Sequence, residues 1–181
     1  MLKNLLIYRF AIVNALLVAF TGLLWWNGLA APIYSNDASH ITKVITVLFL
    51  LGWFSTAWEI WRTSARLNDA KISGPTPGRV AERDKAVAKL AWLDDVGNWL
   101  VSLGLLGTVI GFWIALPDGG VSIDAKGAQT AVSTLMSGMR TALGTTILGA
   151  YLAIWHELNL RLLHTGMTVY WQDRLMATEA R

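Results

Sequence analysis

This chain of 181 residues contains no cysteine. Disulfides, thiolate metal sites and thiol nucleophiles are therefore excluded. Charge is scarce as well: 15% of the residues are Asp, Glu, Lys or Arg, against 54% hydrophobic. The net charge of +3 is too mild to argue for nucleic acid, and none is expected as a partner. The sequence also lacks a phosphate-binding glycine loop, a His-Glu-x-x-His pair and a recognisable nucleophile–base pair. We therefore expect no enzymatic activity, no cofactor and no metal. His156 beside Glu157 makes a poor metal site, because no further convergent ligand is visible.

What is abundant points to a membrane. Mean hydropathy is +0.45, and there are ten tryptophans. Four apolar runs approach the roughly 20 residues that cross about 30 Å of hydrocarbon: Leu5–Trp26, Ile41–Ile60, Gly97–Leu116 and Thr134–Trp155. Backbone groups in lipid must be satisfied internally, so these runs are predicted to be helices and the fold all-α. Lys3, the first run and Gly28-Leu29-Ala30 also match the outline of a signal peptide. We read the segment as a retained anchor.

Orientation follows from basic residues. Arg62, Arg66, Lys71, Arg79, Arg83, Lys85 and Lys89 lie between the second and third runs, and Arg161, Arg174 and Arg181 follow the fourth. The loops Asn27–His40 and Pro117–Ser133 together carry only Lys126. Both termini and the central segment are thus expected in the cytoplasm. Tryptophans support these edges: Trp25, Trp26 and Trp113 at the outer interface; Trp58, Trp61, Trp92, Trp99 and Trp155 at the inner one. In the central segment, Ser73–Gly78 is a turn cluster, and Val80, Val87, Leu90 and Leu93 then recur near helical spacing among charges, which predicts an amphipathic helix.

The third and fourth runs are unusual in their small residues. Gly104, Gly107, Thr108 and Gly111 fall on one face of the third, at helical spacing. Thr134, Gly138, Ala142, Thr145, Thr146, Gly149 and Ala153 form a broad small face on the fourth. Such faces let helices approach closely in lipid and suit a ring of close neighbours. Thr108 lies nine residues after Trp99 and Thr146 nine before Trp155, so antiparallel helices would hold both hydroxyls at one depth, about 13 Å from those tryptophans. Packing faces and a polar pathway both fit this spacing.

These segments resemble the two pore helices of the MotA/TolQ/ExbB family of ion-driven motor subunits. The family's Leu-Gly-Leu-Leu-Gly-Thr-Val-x-Gly pattern stands here as Leu103–Gly111, and its Ala-Leu-x-x-Thr-x-x-Gly pattern as Ala142, Leu143, Thr146 and Gly149. Where some relatives carry a glutamate, this chain has Thr141, preceded by Arg140. The central cytoplasmic segment is shorter than in flagellar stators. Four spans with one cytoplasmic segment resemble the MotA topology more than the three-span TolQ/ExbB one.

The resemblance implies an ion-channel subunit of a bacterial inner-membrane motor, built as a pentamer around two single-span helices of a partner resembling MotB, TolR or ExbD. The partner would supply a membrane aspartate, because the third and fourth runs contain no carboxylate or histidine. Thr108 and Thr146 would line the path, with Thr145 added on its position alone; Gly104, Gly107, Gly111, Gly138, Ala142 and Gly149 would serve helix packing. Threonine oxygens suit a proton path and a sodium site equally. The expected organisation is a first helical pair (1–62), a cytoplasmic segment (63–96), the pore-forming pair (97–160) and a cytoplasmic C-terminal helix (161–181).

The remaining charges are read by position. Arg9 snorkels to inner headgroups. Glu59, Asp94 and Asp95 lie near the inner interface, solvated, ion-paired or at an ion exit. Arg140 reaches outer headgroups, pairs with Asp118 or Asp124, or helps set an outer pore mouth. The competing reading of the whole chain is a non-conducting membrane scaffold that oligomerises through its small-residue faces.

Overall fold

The structure, a computed structural model, describes residues 5–35, 37, 39–68, 79–116 and 125–179. These form α1 (Leu5–Trp26), α2 (Ala31–Ser35), α3 (Ile41–Asn68), α4 (Arg79–Ala115) and α5 (Ala125–Glu179), with no strand among the described residues. Among the described residues, three segments are long and apolar enough to cross a membrane: Leu6–Trp26, Ile41–Ala65 and Leu90–Ala115. The predicted fourth run, inside α5, is not among them; its threonines, glycines and Arg140 dilute the apolar residues. The turn cluster Ser73–Gly78 lies outside the described residues.

Local chemistry sets the helix ends. Gly28, with φ 72°, stops α1, and the Gly28 and Leu29 amides donate to the carbonyls of Trp25 and Leu24, each at 3.0 Å. This is the Schellman arrangement that favours glycine. At the start of α3, the Asp37 carboxylate accepts from Ser39 N (3.0 Å), Ser39 Oγ (2.6 Å), Thr42 N (2.9 Å) and the Thr42 hydroxyl. His40 between them takes φ 57°, turning the chain into the helix. Burial, the largest influence on Asp37, pushes its carboxyl up, but the hydrogen bonds together outweigh it and hold it below the ordinary value.

The long helices cross the expected boundaries at 96/97 and 160/161. Leu90, Leu93, Val96 and Leu100 are all buried, so one apolar stripe runs through the first of these, and Leu160 and Leu163 continue the buried stripe of α5 past the second. No proline interrupts either helix. The amphipathic segment and the third run are therefore one 37-residue helix, and the fourth run and its C-terminal extension one 55-residue helix.

Helices α4 and α5 share the largest interface and run antiparallel; α3 packs against both, and α1 lies along α5 and α3. One core cluster gathers Ile41, Ile45, Phe49, Val96, Leu100, Leu148, Leu152 and Trp155, and a second gathers Ile60, Leu90, Leu93, Leu160 and Leu163. Trp155 corrects the expected inner belt. It is 8% exposed, with its ring 5.2 Å from that of Phe49, because its indole N–H has a buried acceptor. That acceptor is Asn14 of α1. Its Oδ1 receives Trp53 Nε1 (2.8 Å), Trp155 Nε1 (2.8 Å) and Asn159 Nδ2 (3.3 Å), and its Nδ2 donates to Asn159 Oδ1 (2.8 Å). A second tie joins Thr21 Oγ1 to the Tyr151 hydroxyl at 2.7 Å. Most of the surface of α1 faces outward, so these polar contacts fix its seat.

Asn14→Leu removes the shared acceptor and strands buried donors on α3 and α5. We expect a loss of about 1–3 kcal/mol, read as a lower thermal midpoint in detergent; Asn27→Leu, which loses only a bond to Leu23 O on its own helix, should shift little. For Asp37, a depressed native value means that its stabilisation is complete above the unfolded-state value of about 3.9 and disappears as pH falls through the lower native one. Asp37→Asn should destabilise at neutral pH, and the gap from wild type should close on acidification below pH 4 or so, measured by thermal melts across pH.

Candidate functional site

The contact between α4 and α5 is built from backbone. Ala115 meets Gly138, Gly111 meets Ala142, Gly107 meets Thr145, Gly104 meets Gly149, and Leu93 meets His156. A Cβ on Gly149 would lie 2.6 Å from the Leu100 carbonyl, one on Gly111 2.8 Å from the Ala142 amide, and one on Gly107 2.5 Å from Thr145 Oγ1. All six residues predicted to serve helix packing are buried. They are buried against one another within a single chain. This corrects the expectation that the small faces meet neighbouring copies: each face is the other's partner.

The close approach brings hydroxyls of both helices to the Gly104 carbonyl. The Thr108 and Thr146 hydroxyls hydrogen-bond each other, and each also lies 3.2 Å from Gly104 O. Thr108 Oγ1 is 3.3 Å from Ala142 O as well. Two hydroxyl protons thus serve two hydroxyl and two carbonyl acceptors. If Thr146 donates to Thr108, Thr108 donates onward to a carbonyl; if the direction reverses, Thr146 donates to Gly104 O. Both side chains are half-buried, at the edge of the seam. Exposed apolar residues flank them: Leu105 and Val109 on α4, Leu143 and Ile147 on α5. Thr145 differs. It has no exposed surface, and its hydroxyl donates to Ala142 O at 2.9 Å, the surroundings of a packing residue.

The charged residues scatter. Arg140 is exposed near the Trp113 end of α4, and Asp118 and Asp124 lie outside the described residues. Glu59 sits 4.0 Å from Arg62 on α3. Asp94 Oδ1 lies 3.8 Å from His164 Nε2, bridging α4 and α5, and Asp95 beside it is exposed. None of these reaches the threonine pair.

Two polar features of the buried core were not expected from the sequence. Asn14 is one; a lone carboxamide in an apolar run is a signal that it has a protein partner. His156 is the other. It is fully buried, its Nε2 lies 2.8 Å from the Leu93 carbonyl, and its Nδ1 has no hydrogen-bond partner among the described residues. A Cβ on Gly52 would stand 3.1 Å from the ring, so that glycine makes room for it on α3. The signal was periodicity: Gly149, Leu152, His156, Asn159 and Leu163 share one buried face.

The family model of the MotA/TolQ/ExbB proton channel family matches residues 77–173, just over half of the chain. No curated protein and no solved structure matches. The matched stretch includes α4 from its first turns, most of α5, and both threonines.

Gly149→Leu should force α4 from α5 and lower stability by about 1–3 kcal/mol or more, because the side chain replaces a backbone contact. Gly22→Leu, where a Cβ meets nothing within 4 Å, is the matched control. Thermal melts of both variants in detergent decide this, and equal melts would contradict the seam.

Proposed function

This chain belongs to the MotA/TolQ/ExbB proton channel family, and from that premise we propose that it is the ion-channel subunit of a bacterial inner-membrane motor. It works without enzymatic chemistry, converting proton or sodium motive force into mechanical work. The observation that carries this reading is the Thr108–Thr146 hydroxyl pair, half-exposed at the α4–α5 seam and flanked by apolar surface. In five copies around a central space, such pairs would form a ring of oxygen groups at one depth.

In this reading α5 provides a fourth span across Thr134–Trp155. Its low apolarity is compensated because α4 covers Gly138 and Gly149 and its Gly104 carbonyl accepts from the Thr146 hydroxyl. The basic residues then put both termini and the segment 63–96 in the cytoplasm. No carboxylate or histidine occurs from Val96 to Ala115 or from Thr134 to Trp155. A proton relay needs a titratable group in the membrane. A partner with one membrane helix and an aspartate, resembling MotB, TolR or ExbD and present as two copies, would supply it. Arg140 would stand at the outer mouth, with Asp94, Asp95 and Glu59 toward the inner side. The scaffold reading is weakened, because the small faces it needs for oligomerisation are occupied within the chain.

Thr108→Val and Thr146→Val keep volume and β-branching while deleting one hydroxyl each. As packing residues they should cost about 0.6 kcal/mol, the average for interhelical hydrogen bonds in membranes. As pore residues they should lower ion flux severely in vesicles holding the subunit with its partner, normalised to assembled complex. Unchanged flux from both variants would reject the pore assignment. Native mass spectrometry of the wild-type complex should show five copies; a stable monomer or dimer would remove the ring.

A further inference from the structure

The two sides of the bundle meet the bilayer at different depths. On the α1 side the helix contacts fix a register: Leu6 packs where a Cβ of Gly166 would stand, the Phe20 ring meets that of Tyr151 at a 45° tilt, and Ile33 of α2 packs at Gly144. The apolar segment Leu6–Trp26 has 21 residues, about 31 Å, and needs all of it to cross the hydrocarbon. The bilayer planes on this side therefore fall near the levels of Gly166 and Gly144 on α5. Arg9, three residues inside the first plane, reaches the headgroups with its long side chain.

On α4 and α5 exposed charges begin much deeper. Glu157 lies nine residues inside the level of Gly166, about 13 Å. Asp94 is at the same depth, since the neighbouring Leu93 carbonyl is bonded to His156. Asp95 is exposed beside it. Asp94 pairs with His164 and Glu157 with Arg161, so these side chains share one face. Above them the same stripe of α5 turns apolar and stays exposed at Ile154, Ala150 and Ile147. At the depth of Glu157 the α1 and α3 surface is apolar, with Ile12 59% and Phe54 63% exposed. Carboxylates at that depth need water or protein, not lipid.

We propose that the face bearing Asp94, Asp95, Glu157, Arg161 and His164 lines a water-filled recess. It opens at the Leu6 end of the bundle, passes about 13 Å beyond the bilayer plane set by α1, and ends at Ile154. The inference deepens the channel reading, on which it rests for the shielding of this face from lipid. From Ile154 to Thr146 is eight residues, so a dry stretch of about 12 Å separates the recess from the threonine pair.

The absence of native cysteine allows a direct test. Single variants Glu157→Cys, Asp94→Cys, Ile12→Cys and Phe54→Cys are placed in the assembled complex in vesicles, with a membrane-impermeant maleimide on the Leu6 side. All four should label after denaturation in detergent. In intact vesicles, Glu157→Cys and Asp94→Cys should react faster by an order of magnitude than Ile12→Cys and Phe54→Cys. Equal rates at all four positions, or failure of Glu157→Cys and Asp94→Cys to react, as when a neighbouring copy covers them, would overturn the recess. Labelling does not depend on conduction, so absent flux with the expected pattern would defeat the channel reading and leave the recess standing.

Discussion

The backbone-to-backbone approach of α4 and α5 governs the rest of the molecule. In lipid there is no hydrophobic force to push helices together, so association depends on close packing and on hydrogen bonds. Gly104, Gly107, Gly111, Gly138 and Gly149 remove the side chains that would hold the helices apart. Once they are close, the Gly104 carbonyl comes within reach of the hydroxyls of Thr108, Thr145 and Thr146. A helix as rich in glycine and threonine as this part of α5 is poorly suited to face lipid alone. Against α4 it hides its small residues and presents mainly apolar ones, such as Leu143, Ile147 and Ile154.

The other helices are then assembled on α5. Trp155, His156 and Asn159 occupy successive positions of its inner face and reach α1, α4 and α3 between them: Asn14 on α1, Leu93 on α4 and Gly52 on α3. The arrangement places polar atoms at the centre of an apolar bundle and pairs nearly all of them, which specifies register where oily side chains alone would slide.

Much of this was legible from residue patterns. The bounds of α1 follow from an apolar run closed by Gly28, and the level contact of Thr108 with Thr146 follows from their equal spacing from Trp99 and Trp155 under antiparallel geometry. What could not be read has a common physical cause: a sequence shows what a face offers, not which surface accepts it. A small-residue stripe looks the same whether its partner is in the same chain or in a neighbour, and here it is the same chain. A tryptophan near a charged segment looks like a belt residue, and Trp155 became a core residue because Asn14, 141 positions away, offers its oxygen. The five residues of α2 carry no periodic signal of their own; they are placed by Ile33 against Gly144 and by Tyr34 bonding Thr46 at 3.0 Å.

The hydroxyl pair also limits what one subunit can do alone. Its protons can reverse direction between two hydroxyls and two carbonyls, but that rearrangement neither takes up nor releases charge. The nearest histidine or carboxylate on α5 is His156, ten residues or about 15 Å away along the helix, and it is fully enclosed, with one nitrogen at the Leu93 carbonyl. In the proposed channel, a group that accepts a proton and then gives it up would approach the threonines from the exposed side. That side is framed by Leu105, Val109, Leu143 and Ile147, whose apolar surface suits an apolar helix carrying a single acid. In the proposed channel the chain would supply a polarisable pair of oxygens, and the charge that makes them useful would come from another chain.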